Sequence, residues 1–266
     1  MTTLRTGTDP ARLRRLRPAR APSAFTLVEL LVVMGIIGVL VAMLLPAVNQ
    51  TVAAVRKAAC ANRVAQIEAG LANFKNDWGI YPPSNTDIAD EANALAEACP
   101  ASSPHGYEFL TVALVGPTAD AKGWGGTVKI LPLGGSSESV SYGPYYKGEF
   151  VWTGRRAFIP DAFPSPDRPI LYFRYDRRNA TYSHQDNPVG QGLGEGFQSK
   201  THFELSVKYV APDGEERWHR KDYLLICAGE DRMYGWIKDT DPPQAVTSRS
   251  ETVEGTATCD DVTNFD

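Results

Sequence analysis

Histidine and the motifs of catalysis are what this chain of 266 residues has least of. Its 4 histidines, His105, His184, His202 and His219, stand singly among polar residues and read as surface side chains rather than ligands or bases. No Gly-x-Ser-x-Gly elbow, Ser-x-x-Lys pair or His-Glu-x-x-His helix occurs, which removes the familiar nucleophilic and zinc hydrolases. No Gly-x4-Gly-Lys-Ser/Thr loop occurs either, so a P-loop nucleotide site is excluded. The glycine run from Gly190 to Gly196 lacks the preceding strand and following helix of a dinucleotide turn and reads as a surface loop. A surplus of positive charge is also missing: 27 basic side chains stand against 31 acidic ones. That balance argues against a nucleic-acid partner.

What the chain does have is a run of apolar residues at 25–45, FTLVELLVVMGIIGVLVAMLL. As a helix rising about 1.5 Å per residue, it matches the roughly 30 Å hydrocarbon core of a bilayer. One residue does not suit a plain anchor: Glu29. A carboxylate in such a segment costs at least about 2 to 3 kcal/mol to insert, so its default reading is functional. The bland alternative is an acid that snorkels to the interface. The segment before the run, 1–24, carries Arg5, Arg12, Arg14, Arg15, Arg17 and Arg20 against Asp9 alone. Such a flank stays cytoplasmic, so the remainder is exported. A cleaved secretory signal would have a shorter apolar core and a small-residue cut site after it, and neither is present.

Ser23-Ala24-Phe25-Thr26-Leu27-Val28-Glu29 resembles the type IV prepilin signature, in which a small residue, usually Gly, precedes Phe-Thr-Leu-Val/Ile-Glu. Counting from Phe25, Glu29 and Pro46 fall where that family also has Glu and Pro. The resemblance implies cleavage between Ala24 and Phe25 by a membrane prepilin peptidase and N-methylation of Phe25; Ala24 in place of Gly predicts slower processing. It further implies that Glu29 of one subunit neutralises the Phe25 amine of a neighbour as helices pack, each charge removing the other's desolvation cost. Removing the leader's six arginines and Asp9 leaves 21 basic against 30 acidic groups, a net charge of −9 for the mature chain.

Beyond Pro46, which is expected to kink or locally melt the rod, the helical pattern continues. Val64, Ile67, Leu71, Phe74 and Trp78 step by three and four and form one apolar stripe suited to lie against a sheet. Gly79 and then Pro82-Pro83 end the helix. Shorter helices are expected over 85–99 and 107–115, and a short strand over 127–131. Strand patterns follow at 170–175, 203–210 and 223–227, with a turn at Pro212-Asp213-Gly214. Tyr142, Tyr145, Tyr146 and Trp152 suggest an aromatic binding patch, although loop packing accounts for them as well. The fold class is therefore α+β: a long N-terminal helix, membrane-spanning then amphipathic, packed on a C-terminal antiparallel sheet. The organisation is a leader 1–24, an assembly helix 25–45, its amphipathic continuation 46–78 and an exported domain 79–266.

Further segments are similar to the major pseudopilins of type II secretion. Asp161-Ala-Phe with Arg168-Pro-Ile-Leu-Tyr-Phe-Arg174 resembles their "DPWG-x-P-Y-x-Y" stretch. Ala228-Gly-Glu-Asp-Arg-Met-Tyr-Gly235 and Cys259-Asp-Asp-Val-Thr-Asn-Phe265 resemble their closing loop, which implies calcium, with Asp231, Asp260 and Asp261 as ligands. Arg232 stands where the pattern has Gly, and a cation there opposes a metal; a solvated acidic tail is the competing reading. The 4 cysteines lack metal-type spacing. In an exported domain Cys227 can pair with Cys259 and Cys60 with Cys99, but the other pairings and four thiols remain open. The resemblance implies a non-enzymatic subunit of an inner-membrane, single-pass, homopolymeric pseudopilus, with other pseudopilins and an assembly platform as partners. The alternatives are a minor pilin or adhesin, and a membrane-anchored enzyme.

Overall fold

The computed structural model describes residues 26–85, 95–101, 103–124, 142–163, 168–187, 196–219, 221–238, 244–246, 248 and 257–265. The strand expected at 127–131 and the glycine run before Gly196 lie outside them, as does most of the helix expected at 85–99, whose residues 95–98 are helical. The chain divides into two compact units, Met1–Asn49 and Gln50–Asp266.

Helix α1 is Leu27–Trp78. Within the first unit its side chains are exposed throughout, including Leu30, Val33, Ile37, Leu40 and Leu44, and the stretch is long and apolar enough to cross a membrane. The backbone stays helical through Pro46, so the melted turn anticipated there does not form. Proline removes one donor and crowds the carbonyl a turn before it, a cost of about 3 kcal/mol that good helix formers on both sides can absorb.

In the second unit, α1 buries Cys60, Val64, Ile67, Leu71 and Phe74, with Trp78 partly covered beyond them. The chain leaves the helix at Gly79, whose φ of +77° suits the left-handed turn and whose N–H donates to the Lys75 carbonyl at 2.7 Å. Gly70 sits mid-helix because a Cβ there would come within 2.9 Å of the Tyr145 carbonyl oxygen. The helix and the Tyr145 loop thus approach at backbone distance.

Helix α2, Gly106–Val115, follows, and then the short hairpin β1 (Val151–Trp152) and β2 (Ala157–Phe158). Strand β3, Leu171–Arg174, pairs antiparallel with β6, Tyr223–Cys227, through Leu171↔Ile226 and Phe173↔Leu224. Strand β10, Val262–Thr263, closes the other edge of β6 through Val262↔Cys227. Alternation along β6 divides the core: Leu225 and Cys227 join the cluster of α1 and α2, while Leu224 and Ile226 join Phe173, Phe197, Phe203 and Tyr234. The sheet is covered on both faces.

The region 203–210, expected as one strand, divides into helix α3 (Lys200–Val207) and strand β4 (Lys208–Val210). Ser199 caps α3 by accepting the His202 N–H at 3.1 Å, and Glu204 pairs with Lys208 at 2.8 Å across one turn. Phe203 and Val207 then share a face four residues apart, which alternation alone conceals. Strand β4 turns at Pro212-Asp213-Gly214 into β5, Glu216–Trp218. A last small sheet joins β7 (Ile237–Lys238) to β8 (Gln244–Ala245) and β9 (Ala257–Thr258).

The disulfide corrects both pairings weighed from sequence: Cys60 of α1 bonds Cys227 of β6, Cα atoms 6.7 Å apart. Cys99 is a buried thiol whose pKa burial pushes far up, and Cys259 is exposed. Residues 167 positions apart are thereby joined at the centre of the core. Reducing this bond, or replacing both of its cysteines by Ser, should cost about 2 to 5 kcal/mol. Urea unfolding of the chain in detergent checks this, and unchanged midpoints would show that helix and sheet hold their register without the bond.

Candidate functional site

Two places on the chain gather charge in surroundings that do not favour it. The first is the start of α1. Thr26 Oγ1 accepts the Glu29 N–H at 3.2 Å, and Glu29 Oε2 accepts both the Thr26 N–H and its hydroxyl at 2.9 Å. This is a capping box: donors that no preceding turn can satisfy are paired reciprocally by the residues at N-cap and N3. Thr26 was not singled out from sequence, although Thr-x-x-Glu before an apolar run is a readable signal for it. Glu29 is therefore held in place within its own chain, and its carboxylate lies over the positive end of the helix dipole. Ala24 and Phe25 lie outside the described residues.

The second place is one end of the β3–β6–β10 sheet. Because Val262 pairs with Cys227, the segment Asp260-Asp261 leading into β10 lies beside the loop that leaves β6 at Ala228. Because β3 runs antiparallel to β6, Pro169 and Arg168 reach the same end, and Asp161 is tied there by its N–H to the Arg168 carbonyl at 2.7 Å. The Tyr234 hydroxyl donates to the Pro169 carbonyl, and Arg63 of α1 donates to the carbonyls of Pro160 at 2.6 Å and Asp161 at 2.7 Å. The three segments with pseudopilin-like motifs therefore converge, although some 100 residues of sequence separate the first from the last.

Asp231, Asp260 and Asp261 all belong to this cluster. Asp260 Oδ2 accepts the N–H of Glu230 and, at 3.2 Å, that of Asp231. Asp261 Oδ2 accepts the Gly235 N–H at 2.7 Å, and Asp231 Oδ1 accepts the Met233 N–H at 2.8 Å. The close seat of Asp260 requires a glycine at 229, where a Cβ would overlap its carboxylate. The other oxygens of Asp260 and Asp261 are buried with no hydrogen-bond partner. Burial, then the charges of Asp231 and Asp260, pushes Asp261 well above the usual carboxylate range. Desolvation of the carboxyl and the Asp260 charge push Asp231 up to about 6, although the residue as a whole remains exposed.

Asp161 is a fourth carboxylate there, 5% exposed and also without a partner on Oδ2. Burial raises it to about 6, against the N–H of Phe163 and the guanidinium groups of Arg232, Arg168 and Arg63. Arg168 acts on both Asp161 and Asp231. Arg232 takes a left-handed φ of +65°, the conformation that the glycine of the related pattern adopts freely. Among the described residues no three carboxylate, imidazole or thiol groups already converge as a metal cage. The orphaned oxygens are hard donors of the kind that calcium and similar cations take.

A model of the prokaryotic N-terminal methylation motif matches residues 20–45. The chain is 31% identical over 120 residues to the fimbrial protein EcpC of Eikenella corrodens, an alignment that covers 44% of this chain and 77% of that protein. The chain belongs to the type IV pilin-like family. No solved structure matches it. Pilin-like proteins are structural subunits, and the exposed apolar half of α1 with its prepilin-type start marks this one as membrane-anchored.

For this pilin-like domain, the buried carboxyl of Asp161 sets a pH dependence with a definite sign. A pKa raised in the fold means that the native state binds more protons than the unfolded one between about pH 4 and 6, so this residue's contribution to stability falls as pH rises through that window. Replacing it removes the slope: relative to Asp161→Asn, the native chain should gain about 2 to 3 kcal/mol on acidification from pH 7 to 4. Denaturant titrations of both chains at several pH values test this. His202, read from sequence as a surface side chain, is instead 1% exposed against the Trp236 carbonyl; burial lowers its pKa, so it pulls the other way but cancels in the comparison.

Proposed function

We propose that this pilin-like chain is a subunit of a type II secretion pseudopilus, exported past its membrane helix, processed at Ala24-Phe25 and polymerised. The observation that carries the reading is an exposed apolar helix with one carboxylate already organised at its start. In an assembly of such helices the Phe25 amine of one subunit is the natural counter-charge for Glu29 of the next. The pair fixes axial register because only one offset brings the two charges together in an apolar bundle. The prepilin peptidase removes residues 1–24 and creates that amine. An inner-membrane platform adds subunits, and the domain after α1 lies on the exported side.

The choice of secretion over other pilin-like filaments rests on the sheet-end cluster. Asp161, Asp231, Asp260 and Asp261 meet the guanidinium groups of Arg168 and Arg232; that of Arg63, which also acts on Asp161, is already paired with Glu149 at 3.1 Å. A divalent cation held by Asp231, Asp260 and Asp261 would restore neutrality, relieve their mutual repulsion and lock the segment before β10 to the loop after β6. Asp260 and Asp261 offer their orphaned oxygens, and the carboxylate of Asp231 completes the set. Arg168 and Arg232 balance the remaining charge.

The Glu29→Ala chain should insert and lose residues 1–24 as the native chain does, with a methyl group gained on Phe25, yet fail to enter filaments. Intact mass of membrane-extracted protein reads the first outcome and sheared-filament recovery the second. Normal polymerisation of the variant would sink the register role. Calcium at a hundredfold excess over its Kd should stabilise the native domain by about 2 to 3 kcal/mol, or roughly 5 to 10 °C in Tm. The shift should be absent in Asp261→Asn, and a native chain indifferent to calcium and chelator would remove the cation from this reading.

A further inference from the structure

Filament assembly makes no use of a cleft on the second unit. Its volume is about 800 Å³, within the range of ligand sites but lined very differently from most of them. Ile80 is the one aliphatic side chain in the lining; the rest is charged, polar or tyrosine, apart from Gly79. An apolar ligand would leave these groups desolvated and unpaired, so the occupant must itself carry many hydrogen-bonding groups.

The floor is built rather than incidental. Ser84 and Asp186 are both 2% exposed. Ser84 donates to Asp186 Oδ2, Asn85 Nδ2 donates to Asp186 Oδ1 at 2.8 Å, and the Arg174 N–H donates to Ser84 Oγ at 3.1 Å. One wall is a chain of charges in which Arg177 and Lys75 share Asp222 at 2.8 and 3.6 Å, with the Lys75 ammonium 4.3 Å from the centre of the Tyr81 ring. The other wall is the turn after β3, where Asp176 accepts the Arg178 N–H at 2.8 Å and the Asn179 side-chain amide at 2.6 Å. Arg178 is exposed, and against desolvation its charge helps to hold the Asp176 carboxyl below the usual range across the same turn.

Charge narrows the class. Lys75, Arg174, Arg177 and Arg178 line the cleft with Asp176, Asp186 and Asp222, so it carries one net positive charge within a domain that is strongly acidic. A polyanion would meet three carboxylates at close range, whereas a single anionic group on a polyhydroxylated body meets a guanidinium for its charge and alternating donors and acceptors for its hydroxyls. We propose that this cleft binds an acidic saccharide, the sugar carboxylate on Arg178 and Arg177, and the hydroxyls shared among Asn85, Asn179, Ser183 and the phenol hydroxyls of Tyr81 and Tyr175. Binding of this kind lets an assembled subunit recognise an acidic glycan at a surface or on a passing cargo. It is independent of the filament reading, because neither Glu29 nor the sheet-end carboxylates take part.

Calorimetric titration of the full chain in detergent tests it, with sialyllactose, which carries one carboxylate, neutral maltotriose and inorganic phosphate as probes. Sialyllactose should bind at least about tenfold more tightly than maltotriose, and Arg178→Gln should weaken it by about tenfold or more while leaving the melting curve unchanged. Asn179→Ala, which keeps the charge, should weaken both sugars. No binding of sialyllactose in the millimolar range would overturn the proposal, and so would equal binding of maltotriose. Phosphate competing as strongly as the acidic sugar would reduce the cleft to a plain anion site and overturn it too.

Discussion

The burial of one helical stripe against one strand is what the second unit depends on. Val64, Ile67, Leu71 and Phe74 of α1 lie in the same cluster as Leu225 and Cys227 of β6, and the Cys60–Cys227 bond fixes the helix at that contact. Everything else is placed relative to β6. Its second face organises α3 and the aromatic group around Phe173 and Phe203, and its two edges accept β3 and β10. A strand buried on both faces leaves polar side chains only at its ends, where the chemistry of this domain accordingly collects.

At the end next to Cys227, the antiparallel pairing brings together the segment leading into β10, the loop after β6 and the approach to β3. The carboxylates there sit on backbone N–H groups of tight turns, which favour their charged forms, yet burial and mutual proximity oppose ionisation more strongly. A fold gains nothing from assembling such a group for stability alone, since neutral side chains of the same shape would cost less. That cost is consistent with a site that waits for a counter-charge.

The stripe of α1 was legible because apolar residues stepping by three and four over four turns line up on one side of a helix and scatter over both faces of a strand. Gly79 then closed the helix where a glycine with positive φ was due. The strands at 171–174 and 223–227 were legible for a similar reason, as short β-branched and aromatic runs between turns. The region 203–210 was not, because Phe203, Leu205 and Val207 alternate as a strand would, while the cap at Ser199 and the Glu204–Lys208 pair act only once the helix has formed. The disulfide could not be read at all: four cysteines carry no record of which two the core brings together. The aspartates 231, 260 and 261 were read as ligands by their resemblance to one motif; Asp161 stood in another and was not read as their neighbour, since only the β3–β6 register brings it to them.

The beginning of α1 shows how a local rule and a collective one can use the same residues. Glu29 is expensive in an apolar setting, but it already accepts two hydrogen bonds from Thr26 and offsets the positive end of a helix that has no earlier turn. Those bonds lower the cost of carrying the charge before any partner arrives, and they also hold the carboxylate at one height on the helix. A freely rotating acid would tolerate several offsets between neighbouring helices. One held by its own N-cap tolerates few, so in the assembly we propose the element that lets a single chain keep Glu29 in the membrane would also make its position informative to the next subunit.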